Sequence, residues 1–118
     1  MSTLNVSNIT DGTTTVGTSY VVNGSAKAFW RSATTYTLGS SLNVSSMTDN
    51  STGNYNVSFS SAFASSADFA ATFGSVSSVP RIYGGYVISA SEMSCRMFNS
   101  SGTANDTNAT GNVNGDLA

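Results

Sequence analysis

The sequence predicts an all-β fold, a single antiparallel β-sandwich of jelly-roll-like or immunoglobulin-like type, and three observations predict it. Apolar and polar residues alternate with period two in several short runs, the mark of strands with one face buried. These runs recur about every eight to twelve residues, with Gly, Asn, Asp and Ser clusters between them, as in sandwiches and small barrels. No window keeps a 3.6-residue apolar period, and the Gly and β-branched content opposes long helices.

Taken in order, residues 1–22 read as an N-terminal strand or arm, with residues 3–9 and 19–22 as its short strands. The next run, 25–31, places Ala26, Ala28 and Trp30 on one face and Lys27, Phe29 and Arg31 on the other. Two charges mark the second face as the outer one, and residues 32–40 follow as a loop. The clearest passage is 42–59. Leu42 and Val44 alternate with polar residues, Asp49-Asn50-Ser51-Thr52-Gly53 punctuates, and Tyr55, Val57 and Phe59 alternate with Asn and Ser. Gly supplies positive φ there, and Asp and Asn turn back onto the backbone, so a hairpin is expected.

Further on, Phe69, Ala71 and Phe73 alternate with Asp68, Ala70 and Thr72. Pro80 cannot donate to a ladder, so residues 79–83 are expected as an exposed turn, with Gly84-Gly85 as a further break. Residues 86–90 and 93–98 form a last pair around Ser91-Glu92, with Met93, Cys95 and Met97 on one face. The polar C-terminal segment, 99–118, is read either as a loop ending in a short strand near Val113 or as a mobile terminus. Residues 4–14 echo 42–52, with seven of eleven positions identical; a duplicated strand-turn unit and biased composition explain this equally well.

Composition narrows the function. The whole chain, 1–118, is one domain by length. Leu, Ile, Val and Phe total 23 of 118 residues, a thin apolar supply that burial between identical subunits would supplement. Ser, Thr, Asn and Gly make up about half of the chain, and only 8% of residues are charged. Such a surface makes contacts that depend little on salt. Four scattered basic residues cannot track phosphates, so no nucleic-acid partner is expected. No secretory signal and no run near the ~20 apolar residues of a membrane span is visible, so synthesis in the cytoplasm and no membrane insertion are expected.

Catalysis is not expected. Without histidine, Ser-His-acid triads, Cys-His pairs and imidazole metal sites are excluded. Of the six acids, Asp11 and Asp49 lie in matching turn contexts where carboxylates cap backbone N–H groups, and a cleft for a sugar-cleaving pair is hard to fit in so small a sandwich. Asp106 to Gly111 resembles a calcium loop faintly, but Leu117 stands where the bidentate Glu belongs. No cofactor and no metal are expected, and Cys95 reads as a buried small hydrophobe.

Four passages resemble a module of bacteriophage tail fibres and related virion structural proteins, of marine and environmental phage type. Residues 1–9 look like the start of such proteins, and Val22-Asn23-Gly24-Ser25-Ala26-Lys27-Ala28-Phe29 like their G-x-A-K-A-W passage. Residues 43–59 resemble their F-N-V-S-S-I-T-D-N-G-T-G-D-Y-T-V-N-F hairpin, and 96–104 their closing strand and turn. Departures are a shortened segment at 31–39 and Phe29-Trp30 in place of a single Trp. The module usually follows a shaft, whereas here Met1 opens almost directly on it, which favours a decoration subunit or a short distal tip.

The resemblance implies a non-enzymatic virion surface protein, on the head or the tail. A capsid decoration or cement protein is the first expectation; a fibre tip binding a host cell-surface receptor is the alternative. Partners would be copies of itself, expected as a trimer, the major capsid or tail protein, and in the alternative a host glycan or outer-membrane receptor. Leu4, Val6 and Ile9, as an unpaired edge, and Lys27, Phe29 and Arg31, as an outer face, are the candidate interface residues. Trp30 and Tyr55 are read as core. Tyr36, in a loop, and Arg81 with Tyr83, beside Pro80, are the candidate surface-recognition residues.

Overall fold

The computed structural model describes residues 2–76 and 78–118. Its body is an antiparallel β-sandwich of two four-stranded sheets, as the alternation predicts. Strands β3 (Ala26–Ser32), β4 (Leu38–Leu42), β7 (Phe69–Ser75) and β10 (Ala109–Gly115) form one sheet in the order β4-β3-β10-β7. Strands β5 (Val44–Ser51), β6 (Asn54–Phe59), β8 (Arg81–Ser89) and β9 (Glu92–Asn99) form the other in the order β5-β6-β9-β8. Ahead of the body stands an arm, in which β1 (Asn8–Thr10) pairs antiparallel with β2 (Thr15–Gly17) and a one-to-two-turn helix α1 (Thr18–Gly24) follows.

The core lies where inner faces meet. Ala28 and Trp30, Tyr55, Val57 and Phe59, and Met93, Cys95 and Met97 are all buried, as their period-two spacing requires. Trp30 fills the space that a Cβ on Gly111 would occupy, 2.1 Å from its ring, and reaches Phe73 across β10, with centroids 6.2 Å apart. Phe63 packs edge-on to Phe59 and beside Phe69. Each large side chain so buried is worth roughly 1.5–3 kcal/mol relative to exposure.

Corners are fixed by polar groups. The chain changes sheets at Asn43, which takes a left-handed φ of 53°. Its amide donates to the Ser61 carbonyl at 3.1 Å and accepts the Ser61 N–H at 2.6 Å. Asn tolerates this conformation because its side chain bonds locally. Leu42, read as the first residue of the 42–59 hairpin, therefore ends β4 instead.

Four further readings need correction. Residues 3–7 form no strand: of the expected 3–9 run only Asn8 and Ile9 are in one, as part of β1, and Ile9 is paired with Val16 of β2. Residues 19–22 lie in helix α1, not in a strand. Helix propensity is poor there, but the Lys27 ammonium donates to the Val22 carbonyl at the helix end, where a cation is favoured, and Asn114 Nδ2 holds Gly24 O at 2.7 Å. Gly84-Gly85 interrupts nothing: both lie inside β8, and a Cβ at Gly85 would meet Phe73 at 2.9 Å. Residues 81–83 likewise belong to β8 rather than to a turn. The C-terminal segment takes the first of its two expected forms, a loop that ends in a strand about Val113, and that strand, β10, sits between β3 and β7 with Ala109 and Val113 fully buried.

Candidate functional site

Among the described residues, no three His, Cys, Asp or Glu side chains gather as a metal group would. The surfaces with a chemical character of their own are the arm, the outer face of each sheet and one polar cluster at an end of the sandwich.

The arm is built locally. Asp11 Oδ1 accepts the N–H groups of Thr13 and Thr14 at 3.0 and 2.8 Å and closes the β1–β2 turn. Those bonds hold its carboxyl below the usual range. Thr18 Oγ1 donates to Val6 O at 3.0 Å, which ties residues 3–7 to the ribbon. What the arm lacks is a core. Leu4 is 84% exposed and Tyr20 75%, with Val6, Ile9, Val16, Val21 and Val22 also open. The longest axis of the molecule is 49 Å against 29 and 24 Å. Its radius of gyration of 16.4 Å exceeds the ~13.5 Å of a compact chain this long. An arm standing off the sandwich accounts for both.

On the β4-β3-β10-β7 sheet, Phe29 and Arg31 share the outer face as expected and line a shallow depression of about 510 Å³ with Thr72, Thr110 and Asn112. Phe29 and Leu42 pair across strands and are both exposed. Lys27 is drawn away from that face, since its ammonium also donates to Ser25 O and Ser25 Oγ.

The recognition residues fall elsewhere than their sequence context suggests. Tyr36 is 2% exposed, so it is no surface contact. It adopts a φ of 54°, rare for an aromatic residue, stacks on Tyr55 with centroids 4.4 Å apart and donates its hydroxyl to Asp106 Oδ1 at 2.9 Å. The same oxygen accepts the Gly53 N–H at 2.6 Å. Gly53 is needed there, because a Cβ would stand 2.4 Å from Met97 O. Burial, and then the Asp106 bond, raise the Tyr36 hydroxyl pKa; burial also raises that of Tyr55 and pushes the Cys95 thiol up to about 12. This cluster locks loops together and keeps Tyr36 and Tyr55 buried.

Arg81 and Tyr83 stand at positions of β8 that pair with Asn99 and Met97, and both are half-buried. Tyr83 packs against the core. The outward row of β8 was missed from sequence: Ile82, Tyr86 and Ile88 are exposed, Tyr86 by 56%. Their alternation with Tyr83 and Val87 was the available signal, hidden by the glycine pair. Beside this row, Arg96 lies opposite Gly84, with open space above the glycine. The other edge of the same sheet, β5, is polar outside and its pairing with β6 is irregular at two points.

No family model, curated protein or solved structure matches this chain.

Proposed function

We propose that this chain is a non-enzymatic structural protein of a bacteriophage particle, a decoration or cement subunit with a tail-fibre-like sandwich body that works as a homo-oligomer on the virion surface. The observation that supports this most is the arm. Seven apolar side chains between Leu4 and Val22 stand open to solvent on an element that carries no core. Exposed apolar surface of this extent marks an attachment site.

In this reading the arm and the Phe29–Arg31 face bury themselves against capsid or tail subunits and against copies of the chain. Binding to the assembled shell and not to its dissociated parts stabilises the shell by mass action. Few charges lie on these surfaces, so the contacts hold across a wide range of salt. The hairpin at 43–59, which carries the likeness to fibre modules, forms the β5–β6 edge of the body.

Labelled protein imaged on purified particles tests the proposal. Many ordered copies over the head are expected. Copies confined to the tail end would replace the decoration role with receptor binding, and absence from particles would end the virion reading.

A further inference from the structure

We infer that residues 3–6 of the arm dock on the open edge and outward face of β8 in a second copy of this chain. The inference rests on the oligomeric part of the proposed function and names the surfaces that form it. A two-stranded ribbon is marginal alone in water, and α1 is far shorter than an isolated helix needs. The arm as it stands therefore calls for a surface to lie on. The chain carries a matching surface. Among the described residues β8 is a nine-residue edge strand with one strand neighbour, β9, and Ile82, Tyr86 and Ile88 stand along it in a row.

The two surfaces fit in pattern and in charge. Leu4 and Val6 alternate with Thr3, Asn5 and Ser7, so an added strand would set both beside Tyr86 and Ile88 while its backbone extends the ladder. Asp11 is the only charged residue among residues 2–25, and its Oδ1 alone is occupied by the turn. On the β8–β9 face Arg96 is the cation that can meet it; Glu92, whose Oε1 accepts from Asn56 Nδ2 at 2.9 Å, keeps its charge but stands four positions away along β9. The β5 edge offers no such match, because its residues after Val44 are polar apart from Met47. Exchanged between two copies the contact makes a two-fold dimer; passed on from copy to copy it closes into a ring or runs on as a filament, and the ring is the form that agrees with a trimer.

Cross-linking in particle-free solution tests this. Cys95 is buried and stays silent, so single cysteines can be introduced as Leu4→Cys and as Tyr86→Cys. Mixed and treated with a short thiol-to-thiol reagent, the two variants should join to each other far more than either joins to itself. Leu4→Cys mixed with Thr48→Cys, on the β5 edge, should stay unjoined. Ile82→Glu, a surface change that leaves the core intact, should weaken self-association at least ~10-fold by sedimentation. Joining of Leu4→Cys to itself or to Thr48→Cys with equal yield would overturn the inference, as would no joining at all or unchanged association of Ile82→Glu. Failure here leaves particle binding standing, and absence from particles leaves this contact standing, so the two proposals fall separately.

Discussion

The arm and the body obey different rules although one polar, weakly charged composition runs through both. In residues 26–118 nearly every large side chain at an inner position meets another: Trp30 meets Phe73, Phe59 meets Phe63, and Tyr36 meets Tyr55. In residues 2–25 the apolar side chains meet water. The body keeps order by burial; the arm keeps it by a carboxylate-closed turn, a threonine bond and a lysine at the helix end. A chain with so few large apolar residues that leaves seven of them open within one short arm has placed them for contact.

Substitutions should separate the two regions sharply. Trp30→Ala removes the largest core side chain and should cost about 3–5 kcal/mol in urea unfolding, whereas Tyr20→Ala in the arm should stay within about 0.5 kcal/mol. Comparable losses at both sites would erase the distinction. Gly111→Ala drives a methyl into the Trp30 ring and should cost about 1–3 kcal/mol, visible as a lower unfolding midpoint with an altered tryptophan emission. Asp106→Ala leaves the Gly53 N–H and the Tyr36 hydroxyl without their acceptor, for a loss of about 1–2 kcal/mol. Asp106→Asn should recover part of it.

The regions should also fail at opposite ends of the pH scale. The Tyr36, Tyr55 and Cys95 pKa values are raised in the fold. The unfolded chain therefore releases those protons first, and the body loses stability as pH rises above about 9 toward 12. Asp11 is shifted the other way, below 3.8, so its contribution to the arm is present above that value and fades as pH falls through its folded pKa. Thermal unfolding across pH should show the alkaline decline in the body. Fluorescence from a probe on the arm should change at acid pH before the body unfolds, and a body that kept its full stability at pH 11 would contradict the assignment of the tyrosine cluster.

Sequence alone exposes those parts of the body whose strands have one wet and one dry face. Residues 26–32, 54–59 and 92–99 announce themselves because Ala28, Trp30, Tyr55, Val57, Met93 and Met97 alternate with residues that are mostly Lys, Arg, Asn, Ser or Glu. β10 does not, because its inward positions are Ala109, Gly111 and Val113 and the volume over Gly111 comes from Trp30 on the next strand. β8 is split on paper by two glycines, one of which is small to admit Phe73. Tyr36 looks like a loop residue by its neighbours; only the stack on Tyr55 and the reach to Asp106, 70 residues away, draw it inside. Phe29 and Arg31 are exposed on the face that alternation gives them, whereas Leu4, Val6 and Ile9 lie in a stretch exposed on all sides and the β8 row emerges only in three dimensions. The echo between 4–14 and 42–52 is not carried into structure: Asp11 closes a turn, whereas Asp49 lies within β5.

Hydrogen exchange of the wild-type protein as a function of its own concentration puts the contrast to its most direct trial. Amides of residues 3–22 should exchange quickly in dilute solution and become protected as concentration rises, together with those on the open edge of β8, while β6, β9 and β10 stay protected throughout. Arm amides equally protected at every dilution, or never protected at any concentration, would contradict an arm that is ordered by docking on its own kind.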